Sequence, residues 1–298
     1  MEIPWIILIS TSLWFGIQCV VDYVVPKMFP SKVQKIRETL EQNQIETYNQ
    51  LRTRIISLCF CLTALPAAIY LLCVHIGPPL AHATDTLSDK SQSQFSLLAQ
   101  YWKSVFGAIL DLEVEHSGAR ALVEWTVGYF IWDLVICIME SWGIGFLVHA
   151  ILCLLVYSLS LLPFALWAGV ACLLFELSTP FGNLLAICRG LGVRSGSFFY
   201  FVSVGFTLCF GLSRIAFGVP FCLAFCSQVL VYVFACFDSS ASLTCSLQSL
   251  GLYLLLLFSN LILTLLNCYW FIAIIRGVCK ILFAPAPITP QPKAQKGL

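Results

Sequence analysis

Apolar residues in this chain come in long blocks separated by short polar stretches. Neither an alternating strand pattern nor an amphipathic helical stripe dominates. The first block runs from Pro4 to Val25, with Asp22 near its exit. A hydrophilic segment, Lys27 to Arg54, follows. Leu40, Ile45 and Leu51 are its sparse apolar positions, which predicts a helix lying at the headgroup level. The second block is Ile55 to Val74, with Pro66 in its middle predicting a kink. His75 to Arg120 reads as a long polar loop. It contains TDTLSDKSQSQ and an amphipathic piece, FSLLAQYWKSVFGAIL, suited to the membrane interface.

The third block is Ala121 to Met139. From Gly143 to Phe181 the chain is apolar for longer than one crossing needs, since a span takes about 20 residues and at least about 17. Pro163 interrupts this run and predicts a hairpin of two short spans. Gly182 to Gly196 reads as a short loop with Arg189 and Arg194. A sixth crossing begins near Phe198. Its apolar run reaches Phe237, with Arg214 and Pro220 inside, which predicts a break near Pro220. Leu250 to Ile275 is the seventh span. The Pro- and Lys-containing tail reads as disordered.

The chain is 59% hydrophobic and 10% charged, against about 25% charged in ordinary soluble domains. The fold class is therefore an all-α polytopic membrane protein. Seven crossings put twelve Lys and Arg residues on one side and three on the other, with Arg214 inside the membrane. Merging the fourth and fifth spans gives six against nine. The positive-inside rule favours seven spans, with the N-terminus in the lumen and the C-terminus in the cytosol. A net charge of +1 argues against a nucleic-acid partner. Glu2 stands where a signal peptide would carry basic residues, so the first block is expected to be a retained span. Many of the 15 cysteines lie in apolar runs, without disulfide or zinc spacing, and read as free thiols. No metal site is expected.

A charged side chain at mid-bilayer costs at least about 2.5–3.5 kcal/mol and so marks the bundle interior. Asp133 and His149 fall at similar depth on either side of a short connection. They suit a carboxylate-oriented general base or acyl acceptor, and more readily a buried packing pair. Glu140 is expected in solvent at the membrane boundary. Glu176, Ser178, Thr179 and Pro180 read as a helix stop, which places Asn183 and Arg189 on the cytosolic loop. Arg214 has three readings: snorkelling to the lumenal face, holding a lipid phosphate, or pairing with Glu124. Asn260 and Asn267, a heptad apart, suit interhelical hydrogen bonds. No soluble-enzyme motif is present.

The series GYFIWDL, VHAIL, FELSTPFGNL, Arg214 followed by Pro220, and LNCYWFIAIIRGVCK resembles the TLC domain. That domain is shared by translocation-associated membrane proteins, longevity-assurance ceramide synthases and the ceroid-lipofuscinosis membrane protein. Among TLC-domain proteins the chain resembles most those of the transmembrane-56 type, which are not ceramide synthases. IETYNQLRTRIISL is similar to the family's domain start, and the likeness covers Ile45 to Ile281. It implies a six-helix TLC bundle preceded by one helix, in the endoplasmic reticulum or a related membrane, around a lipid-filled cavity. The expected organisation is an N-terminal helix (1–26), a cytosolic linker (27–54), the TLC domain (55–281, with lumenal loop 75–120) and a cytosolic tail (282–298).

Ceramide synthases carry an adjacent His pair and further HD and D-x-x-L-E elements. Here the pair reads Val148-His149 and the other elements are absent, which argues against ceramide synthesis. The expected function is lipid binding in lipid homeostasis, meaning phospholipid or sphingolipid composition, with no cofactor. Arg214, Glu176, Asn267, Trp132 and Trp270 are the expected lipid-binding residues. The first alternative is an acyltransferase using acyl-CoA, with His149 oriented by Asp133. The second is a trafficking receptor that uses the lumenal loop and tail as contact surfaces. Expected partners are membrane lipids, and a second copy or other membrane proteins.

Overall fold

The structure is a computed structural model, describing residues 4–28, 42–86, 106–107, 116–162, 165–237 and 247–282. In a bilayer every backbone polar group must be satisfied within the chain, and these apolar blocks answer with helices. They are α1 (Trp5–Met28), α2 (Gln42–Thr86), α3 (Ser117–Met139), α4 (Ile144–Ser160) and α5 (Leu166–Cys172). A 3-10 segment (Leu173–Ser178) joins α5 to α6 (Thr179–Gly190). A π segment (Gly211–Phe217) joins α7 (Ser197–Phe210) to α8 (Gly218–Phe237), and α9 is Leu247–Leu282. Among the described residues six helical stretches are long and apolar enough to cross a membrane, and α4 is a shorter apolar helix of 17 residues. One stretch joins α5 through α6 and another joins α7 to most of α8.

Several boundaries move from their expected places. The hydrophilic segment is not a separate element from residue 42 on, because α2 runs unbroken for 45 residues into the expected loop. Residues 29–41, 87–105, 108–115 and 283–298, which hold part of the expected linker and most of the expected loop and tail, lie outside the described residues. Phe106, from the piece expected at the membrane interface, is instead buried against Phe217 and Phe221. The α4–α5 hairpin forms as expected, although Pro163 itself lies outside the described residues.

Pro180 starts a helix instead of ending one. It occupies the first turn of α6, where a missing N–H costs nothing. Asn183 and Arg189 are therefore helical. The true turn is 191–196, with Gly192 and Gly196 at φ of 79° and 100°. The irregularity in the sixth crossing falls at Gly211–Phe217 and not at Pro220. A helical proline clashes with the carbonyl four residues earlier, here Ala216, so the strain is relieved upstream.

The core sits where α1, α2 and α3 meet. Phe60 and Tyr129 stack at 3.8 Å, and the Trp14 ring packs edge-on against Phe60, Trp125 and Tyr129. Ser10 donates to the Trp125 carbonyl at 2.7 Å and accepts from Trp14 Nε1 at 3.1 Å. This approach requires glycine at 128. A Cβ there would meet Ser10 at 2.5 Å and the Thr11 backbone nitrogen at 2.9 Å.

Gly128→Val should therefore destabilise the protein by about 1–3 kcal/mol, the usual cost of overpacking. Trimming Ser10 to glycine should rescue it only in part, because the Thr11 backbone cannot retreat. Thermal unfolding of the detergent-solubilised chain checks both. An unchanged melting temperature in Gly128→Val would show that α1 is not seated on α3 as described.

Candidate functional site

Two irregular segments face each other across the bundle, and Arg214 joins them. The 3-10 segment exposes the Phe175 carbonyl, which accepts from Arg214 Nε at 3.0 Å. The same Nε lies 3.3 Å from Ser178 Oγ. Nη1 donates to Asn267 Oδ1 of α9 at 3.0 Å, and Nη2 lies 3.5 Å from Glu176 Oε1 and 3.4 Å from Thr179 Oγ1. Thr179 Oγ1 donates in turn to Glu176 Oε2 at 2.6 Å. The Phe210 ring centroid lies 5.2 Å from the guanidinium carbon. Arg214 is 7% exposed, so it neither snorkels nor pairs with Glu124; Glu176 is its carboxylate. Glu176 is accordingly an interior ion-pair partner and not a simple helix stop.

Beside this network lies a cavity of about 660 Å³. Phe199, Phe206 and Phe210 of α7 line it, with Trp270 and Ile274 of α9, Phe146 and His149 of α4, and Tyr129, Phe130 and Asp133 of α3. Glu176 and Arg214 line it from the side of the junction. The depth argument thus brings Asp133 and His149 to one cavity but not to each other. No hydrogen bond joins them. The His149 ring nitrogens lie 3.5 and 3.7 Å from Cys153 Sγ, one helical turn along, and Trp270 packs against the ring at 5.3 Å. The expected Asp133-fixed tautomer is therefore not formed; Cys153 is the hydrogen-bonding neighbour.

Three further expectations change. Trp132 is fully buried away from the cavity, where its Nε1 donates to Gln18 of α1 at 2.7 Å. Trp270 does line the cavity. Asn260 bonds within its own helix, to the Leu256 carbonyl at 3.2 Å, whereas Asn267 makes the interhelical bond expected of it.

The α3–α4 end of the bundle holds residues to which sequence reasoning gave no role there. Glu140 is not in solvent. Its side chain is 7% exposed, paired with Arg52, and accepts from Trp142 Nε1 at 3.0 Å. Arg52 also holds Asp22 of α1 at 3.0 Å. Arg54, the residue immediately before the apolar block, lies over the Trp142 ring at 4.9 Å and lines the cavity. Its Nη1 reaches Asn183 Oδ1 at 3.4 Å, and Asn183 is fully buried. Arg189 lines the cavity from the exposed last turn of α6. The only signal in the sequence was position, since Arg54 sits where a hydrophilic run meets an apolar one.

These features agree with the comparisons. The model of the TLC domain matches residues 50–276. Over 149 residues the chain is 33% identical to an uncharacterised TLC domain-containing protein of Schizosaccharomyces pombe, covering 49% of this chain and 47% of that protein. It is 31% identical over 171 residues to topoisomerase I damage affected protein 4 of Saccharomyces cerevisiae, covering 54% of this chain and 56% of that one. The matched stretches thus span about half the length of each relative. The domain match runs from the cavity-lining half of α2 into the last turns of α9, and on that extent the chain belongs to the TLC-domain family.

Proposed function

We propose that this protein binds membrane lipids and takes part in lipid homeostasis, as a determinant of phospholipid or sphingolipid composition. The observation that carries the reading is the cavity itself. It lies within a bundle of membrane-crossing helices, and it combines aromatic walls with charged groups. Such a space suits an amphiphile, since acyl chains can lie against Phe206, Phe210 and Trp270 while a polar part meets the charged groups. The charge distribution along the chain supports an endoplasmic-reticulum-type topology with the α3–α4 end in the cytosol.

One observation favours acyl transfer as a second reading. His149 opens into the cavity beside the Cys153 thiol. Its imidazole nitrogen can attack the thioester carbonyl of acyl-CoA and break the C–S bond, and CoA leaves as the thiol with the ring proton; a lipid hydroxyl or amine then attacks the acyl-imidazole and returns its proton to the freed ring. Lipid binding asks less of the site, because it needs no oriented base.

Mass spectrometry of lipid co-purified in mild detergent tests the first reading. The full-length chain should retain lipid, and Thr207→Trp, which fills the cavity from α7, should lose the greater part of it. Equal lipid in the two proteins would sink the assignment of binding to this cavity. For the second reading, His149→Ala should cut acyl transfer from acyl-CoA by about 100-fold or more. An alanine variant that fully restores the lipid profile of a deletion strain would remove His149 from any catalytic role.

A further inference from the structure

The cavity wall carries three guanidinium groups, Arg54, Arg189 and Arg214, and two carboxylates, Asp133 and Glu176. Arg214 and Glu176 pair with each other, and each Arg214 nitrogen has a protein partner. The inner network is therefore complete without a ligand. Arg54 and Arg189 are left against Asp133 alone, and no ion pair joins either of them to a carboxylate among the described residues.

Arg54 is the unusual one. Its one hydrogen bond among the described residues is the long contact to Asn183 Oδ1. Arginine has no acceptor, so Asn183 must turn its oxygen toward Arg54 and its amino group elsewhere. Asn183 Nδ2 has no partner, and neither does Arg54 Nε. A half-buried cation beside a fully buried amide with an unmet donor is unfavourable unless an anion joins it. A planar guanidinium with free N–H groups matches a phosphate by paired, charge-assisted hydrogen bonds. Arg189, on the exposed last turn of α6, lines the same cavity and adds a second positive charge.

Resting on the lipid-binding reading, we infer that the ligand of this cavity bears a phosphate, held at the α3–α4 end by Arg54 and Arg189 with Asn183 beneath, while its apolar part lies along the aromatic wall. The same chemistry is offered by a phospholipid headgroup and by the soluble phosphates of CoA or inorganic phosphate. The neutral cluster around Arg214 then serves the inner wall and not the headgroup.

A displacement assay on the full-length protein in mild detergent, with fluorescent phosphatidic acid as the bound probe, separates these cases. Unlabelled phosphatidic acid should displace the probe about tenfold better than diacylglycerol of the same chains, the size expected of a charge-assisted hydrogen bond. In Arg54→Gln that ratio should fall toward one. Displacement by CoA or inorganic phosphate at the same concentration as phosphatidic acid would support the phosphate site and assign it to a soluble ligand. Equal displacement by phosphatidic acid and diacylglycerol in the wild type overturns the phosphate site and leaves lipid binding standing. A probe that fails to bind, or that neither lipid displaces, overturns both. Should Arg54→Gln misfold, Arg189→Gln and Arg54→Lys serve instead. Each should lower the ratio, and unchanged ratios in both overturn the proposal.

Discussion

Arg214 is the residue on which the rest of the bundle depends. A guanidinium at mid-membrane costs at least about 2.5–3.5 kcal/mol. Here it is offset by a carboxylate, an amide, two hydroxyls and one backbone carbonyl. That carbonyl is available because the chain leaves α-helical geometry at Leu173–Ser178, and Arg214 reaches it from the π segment at Gly211–Phe217. The two irregular segments are matched, one supplying the acceptor and the other the donor. Removing only one partner of such a buried pair costs about 3–5 kcal/mol, because the other charge is left stranded. Each irregular segment is thus retained by the other.

The same junction shapes the space beside it. Arg214 ties the α7–α8 crossing to the α5–α6 crossing and, through Asn267, to α9. Close packing between α6 and α7 needs small residues where aromatic rings cross. A Cβ at Gly205 would lie 2.6 Å from the Phe181 ring, and one at Gly182 would lie 3.0 Å from Phe206. Phe206 is thereby seated with its ring against α6 while still lining the cavity. On the far side α4 contributes His149 against Trp270 of α9. A rigid polar junction flanked by aromatic walls gives a cavity that a bilayer-embedded bundle would otherwise fill with its own side chains.

The number of crossings and the α4–α5 hairpin were legible in the sequence because a bilayer imposes them. Each block must be helical and of a minimum length. The common lining of one cavity by Asp133 and His149 was legible for the same reason. Partner choice was not. Arg214 reads as lying near the far interface when its crossing is a straight helix, which makes Glu124 look near. The π segment and the facing 3-10 turn put Glu176 within reach instead. Glu140 reads as solvated because its partner Arg52 lies 88 positions away on another helix. Pro180 carries the same chemistry whether it ends one helix or starts the next, and only the flanking geometry decides.

Arg54 and Arg214 show why burial alone does not identify a site. Both are arginines in the wall of one cavity, and from the sequence Arg214, alone in an apolar run, is the more conspicuous. Arg214 has a protein partner for every nitrogen, so its charge is fully used in holding helices together. Arg54 has one long hydrogen bond, an unpaired Nε and an unpaired amide beside it. A folded chain that satisfies the buried Arg214 so completely has the means to satisfy the half-buried Arg54. Leaving Arg54 short of partners costs stability, and a phosphate entering from the cavity would recover it. The conspicuous arginine thus has its charge taken up by the protein, and the one at the edge of an ordinary hydrophilic run is the one with hydrogen-bonding capacity to spare.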